Sequence, residues 1–322
     1  MMRRFLPVVL AALIALPSAP EPAYAWDSFG HMLVAYLAYQ QLTPETKARA
    51  NALIRLNPKH SEWLNWLPPH TSKARKNMML FMIAATWPDE IKSDSSYKDD
   101  GSHGGNRPDG SPDPSGNHGY SDKLRHKYWH FVDTPFSSDG TTLPPIPTPN
   151  AQERIALFRG VLNSNAKDPL KSYNLVWLLH LVGDVHQPLH CATRVRSGAP
   201  EGDDGGNTVK LNCTGCPPKL HSFWDDVPGT AKTVKAALNP VIAAAKKVPT
   251  PDPTLAAKTD EKAWIAESFN DAQTVAYQPP IMAGNGPFAL TTAYRDQAHT
   301  LAQQRVALAG ARLPNLVNGE LK

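Results

Sequence analysis

The 322-residue sequence has little cysteine, modest charge and few long apolar runs. Only 3 cysteines are present, which excludes a scaffold held together by disulfides. Charged residues make up 19% against 41% hydrophobic residues, a balance that excludes global disorder and suits a chain with its own core. The net charge of +4 is too small to define an anionic partner. After the N-terminal segment no apolar run reaches ~18 residues, so no transmembrane helix is expected there.

Residues 1–25 have the pattern of a signal peptide. Arg3 and Arg4 form a positive start, residues 5–16 are apolar, and Ala23-Tyr24-Ala25 matches a cleavage site. The alternative is a buried N-terminal helix. The order of the three features favours export, so we expect a periplasmic or secreted protein, free of the membrane, that begins at Trp26.

The rest of the chain, residues 26–322, is predicted to form one mainly helical domain. Thr43 and Pro44 have the pattern of a helix cap and first turn. Two helices are expected between 229 and 276, on either side of a proline-rich stretch, and a strand only at 207–211. Apolar periodicity predicts the other helices over 28–41, 72–86, 150–165, 168–187 and 286–310.

Residues 93–122 differ from their surroundings because they are rich in Gly, Ser, Asp and Pro and nearly free of apolar side chains. Such a tract has little to bury and predicts a surface loop inserted in the domain. Its role is open between a lid or cation-binding loop and a mobile insertion.

Two histidine–aspartate pairs are spaced for metal binding. His180 and Asp184 are four residues apart, as are His221 and Asp225. On a helix this spacing places both side chains on one face, and an imidazole with a carboxylate is common zinc chemistry. One such pair is weak evidence because exposed helices often carry one, but two pairs in one chain favour a metal site.

Other residues extend this set. Pro188 cannot continue the helix, so His190 lies at or beyond its end and faces a neighbouring metal, whereas His186 points away and is interpreted as structural. Asp89 is expected at the end of an apolar helix. His130 is flanked by aromatic residues, which equally fits a buried core histidine.

A cleaved N-terminus would add a ligand that no internal residue has. The free amino group and the carbonyl group of Trp26 can chelate a metal through a five-membered ring. His31 follows five residues later, close enough to bind the same ion.

These motifs together resemble the S1/P1 nuclease family, in the form of an exported bacterial-type member. The resemblance implies the helical fold of the phospholipase C/P1 nuclease type, with three zinc ions at the bottom of a cleft. The motifs run in family order: residues 26–31, Trp87-Pro88-Asp89, Trp129-His130, residues 180–190, Gly205-Gly206-Asn207 and residues 221–225.

The resemblance also implies the ligand sets. One zinc would be held by Asp89, His130, His180 and Asp184; a second by Trp26, His31 and the bridging Asp184; and a third by His190, His221 and Asp225. Asp184 and Asp89 would thus serve catalysis. The implied reaction is hydrolysis of single-stranded DNA and RNA to 5′-phosphate products, with 3′-nucleotidase activity, by a hydroxide that bridges two metals. A monomer without a stable protein partner is expected.

Substrate contacts are predicted from positions near the ligands. Lys92 contacts a phosphate or is a solvated lysine; Asp133 supports the metal group or a base pocket; Asn207 binds substrate or caps a ligand loop. The aromatic residues that follow or precede His130 stack on bases or pack in the core: Tyr128, Trp129, Phe131 and Phe136.

Two further questions stay open in the sequence. An exported chain with three cysteines suggests one disulfide, between Cys213 and either Cys216 or Cys191. The alternative functions are a zinc phospholipase C, which ends its third site with H-x-x-x-E rather than His221…Asp225, and a zinc-binding exported protein without catalysis.

Overall fold

The computed structural model describes residues 26–101, 113, 116–281 and 283–322. It is mainly helical, which confirms the predicted fold class. The helices are α1 (Ser28–Gln41), α2 (Pro44–Ile54), α3 (His60–Leu64), α4 (Lys73–Ala84), α5 (Trp87–Ser93), α6 (Ala151–Leu162), α7 (Asp168–Asp184), α8 (Leu220–Asp226), α9 (Val234–Ala244), α10 (Pro253–Ala256), α11 (Glu261–Asp271) and α12 (Thr292–Glu320). Two short strands, β1 (Pro135–Ser137) and β2 (Thr193–Val195), pair in parallel.

The centre of the fold is formed by α1 and α7. Helix α1 packs against α4, α7, α9 and α12, and α7 also packs against α2, α5 and α6. From Lys171 to Asp184 every residue of α7 is buried. A helix that is apolar on nearly all sides belongs in a core, so the polar His180 and Asp184 on it need buried partners.

The predicted starts of α1 and α2 agree with the structure. Helix α1 spans the predicted 28–41. Thr43 caps α2 by accepting a hydrogen bond from the Thr46 N–H, and Pro44 occupies the first turn. The predicted 72–86 helix is present with slightly shorter bounds, but the expected position of Asp89 at its end is wrong. Helix α4 ends at Ala84, and Trp87 begins α5, so Asp89 lies in the first turn of a new helix.

Other predicted boundaries differ from those in the structure. Helix α7 ends at Asp184, three residues before the predicted end, and Pro188 opens a 3₁₀ turn over Pro188–Cys191. The C-terminal helix begins later than predicted and continues through Pro314 to Glu320. The strand predicted at 207–211 is wrong, because only single bridges form there, from Lys210 to Lys219 and from Leu211 to Phe288.

A second, smaller core lies beside α8 and the start of α12, and it contains Leu189, Trp224 and Tyr294. The partly buried disulfide at its edge joins Cys213 to Cys216, which settles the pairing left open by the sequence. Cys191 is a buried free thiol.

The predicted signal peptide lies outside the described residues, as do residues 102–112, 114 and 115 of the 93–122 segment. The described ends of that segment are less exposed than predicted, because Tyr97, Asp100 and Asp122 are buried. In the described parts of the chain, no helix is both long and apolar enough to cross a membrane.

Candidate metal centre

Four elements bring one group of candidate ligands together at the end of α7. His31 comes from α1, Asp89 from α5, and His130 from a 3₁₀ turn over Lys127–His130; His180 and Asp184 come from α7. All five side chains are almost fully buried. The Nε2 atom of His180 lies 2.8 Å from Nδ1 of His130, and the ring stacks on His31 at 3.7 Å.

The two oxygen atoms of Asp184 face different histidines. Oδ1 lies 3.2 Å from Nε2 of His31, while Oδ2 lies 3.1 Å from Nδ1 of His130 and 3.2 Å from Nε2 of His180. Asp89 adjoins both sides, with Oδ2 3.9 Å from His31 and Oδ1 3.5 Å from His180. One carboxylate is therefore shared between two clusters of candidate ligands.

A separate group contains His190, His221 and Asp225, whose ligand atoms lie within 4.8 Å of one another. His190 lies in the 3₁₀ turn after α7, and the other two lie four apart on α8. Oδ2 of Asp225 is 3.7 Å from Nε2 of His221. The predicted sharing of a helix face by each histidine–aspartate pair is thus present in the structure.

The hydrogen bonds of His190 and His221 indicate that a cation fits between them. Nδ1 of His190 donates to the carbonyl of His130 at 2.8 Å, and Nδ1 of His221 donates to the carbonyl of Gly205 at 2.7 Å. A carbonyl only accepts, so each Nε2 carries a lone pair. These Nε2 atoms are 3.2 Å apart. A divalent cation relieves the repulsion, and two imidazoles with a carboxylate suit zinc.

Burial and nearby charge also favour metal binding. Burial lowers the pKa of His190 and of His221 to about 4, so both are neutral at neutral pH. Burial opposes ionisation of Asp89, but Lys92 and the surrounding histidines outweigh it and hold the pKa of that carboxyl at about 2. Burial raises the pKa of Asp225 well above its usual range, so metal binding there would release a proton.

The start of the predicted mature chain lies against these groups. Trp26 is 1% exposed, and the N–H of Asp27 donates to the carbonyl of Asp225 at 3.2 Å. A Cβ on Gly30 would come within 2.8 Å of the Trp26 side chain, so glycine allows this close packing. The N–H of His31 in turn donates to the carbonyl of Asp27. Asp27, which follows Trp26, is therefore hydrogen-bonded to the backbone of one candidate ligand from each group, His31 and Asp225.

The candidate substrate residues take different positions. Lys92 is 7% exposed, and its Nζ lies 2.7 Å from Oδ1 of Asp89, so it is a partner of a candidate ligand rather than a solvated lysine. Asp133 lines a cavity of about 450 Å³ with several prolines and Thr193. Burial, with Asp204 and Asp203, raises the pKa of Asp133 to about 7.

The four aromatic residues proposed to stack on bases differ in burial, since two are in the core and two are partly exposed. Tyr128 and Trp129 are 1% and 0% exposed, so their predicted use as platforms for bases is wrong and the alternative, core packing, is correct. Phe131 is partly exposed. Phe136 is also partly exposed, and it packs edge-on against Tyr277 at 5.0 Å.

Asn207 belongs to the glycine-rich turn that orients His221. Its Nδ2 donates to the carbonyl of Asp204 at 3.0 Å, and Oδ1 is buried without a hydrogen bond to any described residue. Asp203 shapes the turn by accepting hydrogen bonds from Gly206 N–H and from the hydroxyl of Tyr277. Both roles left open for Asn207 remain compatible with this position.

Sequence reasoning missed a buried histidine that supports His130. The two ring nitrogens of His126 are each 3.0 Å from a carboxylate oxygen, one of Asp100 and one of Asp122, and the ring stacks on Trp129. Burial opposes its protonation, but the two carboxylates outweigh burial and raise the pKa of His126. The aspartates lie on either side of the segment 101–121, so His126 fixes both ends of that segment beside His130.

Replacing Gly205 with alanine is expected to cost ~2 kcal/mol or more of unfolding free energy and to weaken metal binding by the group of His190, His221 and Asp225. Gly205 has φ +56°, and an added Cβ would lie 2.6 Å from the Leu189 carbonyl and 3.2 Å from Nδ1 of His221. Urea unfolding and zinc titration measure the effect. Gly206→Ala is the control, since it shares a positive φ of +82° but meets no atom closer than 3.4 Å. Equal losses in both variants would contradict the clash.

Fold and site together define a helical protein with adjoining buried clusters of histidine and carboxylate suited to divalent metals. The chain matches the sequence model of the S1/P1 nuclease family over residues 26–322, and it belongs to that zinc-dependent family. Endonuclease 4 of Arabidopsis thaliana is 35% identical to it over 68 residues. That match spans 20% of this chain and 20% of the plant protein.

Proposed function

We propose that the protein hydrolyses phosphodiester bonds in nucleic acid, with single-stranded DNA and RNA as preferred substrates and 5′-phosphate ends as products. We further propose 3′-nucleotidase activity on 3′-nucleotides. The observation that carries the proposal is the division of the Asp184 carboxylate between His31 on one side and His130 with His180 on the other. The family match favours this nuclease activity over the phospholipase alternative.

The proposed centre holds three zinc ions. The first would bind Asp89, His130, His180 and Asp184; the second the Trp26 amino and carbonyl groups, His31 and Asp184; the third His190, His221 and Asp225. When bound, the zinc ions would supply a water of lowered pKa and would neutralise charge on the phosphate and the leaving oxygen.

The chain's own residues have complementary roles in this proposal. Asp184 and Asp89 fix the distance between neighbouring ligand sets because each adjoins both. Lys92 supplies a buried positive charge next to Asp89, where it would attract a phosphate oxygen. Asp133 and Phe136 would contact a base, and Asn207 would offer a substrate hydroxyl or amine its buried oxygen, which has no hydrogen-bond partner among the described residues. We also propose export to the periplasm or exterior and a monomeric state.

A zinc count combined with a product assay tests the proposal. The mature chain starting at Trp26 is expected to bind about three zinc ions and to release fragments with 5′-phosphate ends from single-stranded DNA and RNA. It is also expected to release inorganic phosphate from 3′-AMP. Phosphatidylcholine serves as the control substrate. Zinc binding without turnover of nucleic acid would overturn the proposed activity, as would turnover of the lipid alone.

A further inference from the structure

The side chain of Gln187 joins the corner after α7 to helix α8. It is fully buried, its Oε1 accepts from the Leu189 N–H at 2.6 Å, and its Nε2 donates to Oδ1 of Asp225 at 2.8 Å. An N–H only donates, so the atom facing Leu189 must be the amide oxygen. The orientation of the amide is thereby fixed, and its nitrogen faces the carboxylate.

We infer that Gln187 is a positioning residue for the third metal: it holds Oδ1 of Asp225 and leaves Oδ2 to face His221. The inference rests on the proposed centre. Oδ1 lies 3.9 Å from Nε2 of His190, and Oδ2 lies 3.7 Å from Nε2 of His221. Without a donor on Oδ1, the carboxylate of Asp225 is free to rotate and to present both oxygens to the ion.

Backbone hydrogen bonds of Gln187 fix the position from which its side chain donates to Asp225. Its N–H donates to the carbonyl of Asp184 at 2.9 Å, and its carbonyl accepts from the His190 N–H at 3.0 Å. The preceding residue, His186, is fixed on the other side by a 2.9 Å contact between its Nε2 and Nη1 of Arg312 on α12. The amide nitrogen is therefore held in place by bonds that do not involve Asp225.

Hydrogen bonds from outer residues to metal ligands fix ligand orientation, and losing one lowers metal affinity by roughly 10- to 100-fold. Gln187→Met keeps the size of the side chain but removes both hydrogen bonds. At a pH where it is ionised, Gln187→Glu keeps an acceptor for the Leu189 N–H but has no donor for Asp225. Comparing the two variants separates the positioning of Asp225 from the folding of the turn.

The experiment titrates the mature chain from Trp26 with a chelator and counts the zinc retained. In Gln187→Met, one zinc of three is expected to leave at roughly 10- to 100-fold lower chelator concentration, while the other two leave as in the wild type. Gln41→Met is the control for the change of side chain itself, since among the described residues the exposed Gln41 side chain donates only to the backbone carbonyls of Leu37 and Gly310.

Cobalt substitution gives a second readout that does not depend on activity. In Gln187→Glu the visible absorption of cobalt at the third position is expected to change, because Asp225 is no longer held through Oδ1. The inference is overturned if Gln187→Met loses zinc at the same chelator concentrations as the wild type, or if the cobalt spectrum of Gln187→Glu is unchanged. An equal loss of all three zinc ions overturns it too, because that result indicates a purely structural role. A wild-type chain with fewer than three zinc ions would overturn the proposed centre itself.

Discussion

Asp184→Asn is expected to lower the rate of phosphodiester hydrolysis by about a thousandfold or more, equivalent to ~4 kcal/mol of transition-state stabilisation. The carboxylate faces His31 with one oxygen and His130 and His180 with the other. An asparagine has one oxygen and no charge, so it cannot serve both sides. The affinity for two zinc ions should fall together. The loss of activity should appear in kcat rather than in KM alone.

Steady-state kinetics and zinc counting on the same preparation measure this effect. Asp271→Asn is a suitable control, because Asp271 is a partly buried carboxylate that pairs with Arg305 and lies apart from the candidate ligands. It should keep its zinc and its activity. Substantial turnover by Asp184→Asn, or loss of a single zinc ion, would remove the assignment of Asp184 as a shared ligand.

A mature chain that retains one extra residue before Trp26 is expected to bind its second zinc at least ~10-fold more weakly and to lose most activity. Peptide-bond formation at Trp26 removes the free amine that we propose as a ligand. The structure places this residue beside the site, buried and tied through Asp27 to the carbonyl of Asp225.

Removal of the extra residue supplies the control. The same protein with a protease site before Trp26 should regain its zinc and its activity after cleavage, because the amine is then released. Zinc affinity that is identical before and after cleavage would show that the amino group is not a ligand. Chain folding is monitored by circular dichroism in both forms, since α1 starts only two residues later.

The sequence predicts much of the site because several relationships are local. A spacing of four residues on a helix brings His180 to Asp184 and His221 to Asp225 whatever the rest of the chain does. Pro188 predicts the break that turns His190 away from α7. These features depend on covalent connectivity and helical geometry, so they can be deduced from the order of residues.

The parts that sequence reasoning missed depend on contacts between distant segments. Gln187 meets Asp225 only because α8 folds back against the corner after α7. Its position before Pro188, where it accepts from the Leu189 N–H, was the local signal that could have identified it. Tyr128 and Trp129 were predicted partly as surface platforms. That they lie next to His130 in the sequence does not reveal which side of the turn faces the core.

Pro88 was ambiguous for a different reason. Proline ends a helix when it falls in the interior, but it also begins one when it falls in the first turn. The sequence around Pro88 is compatible with either a helix that ends there or a helix that begins there. Here the second applies, and it places Asp89 in the first turn of α5 rather than at the end of α4.

Three of the candidate ligand rings are oriented by main-chain carbonyl groups rather than by side chains. The ring and carbonyl pairs are His180 with Ala85, His190 with His130, and His221 with Gly205. Main-chain oxygen atoms are present whatever amino acid occupies the position, so a single substitution cannot remove these orienting groups. Of these three positions only Ala85 can change without a further effect on the centre. His130 is itself a candidate ligand, and a side chain at Gly205 would force the backbone to move.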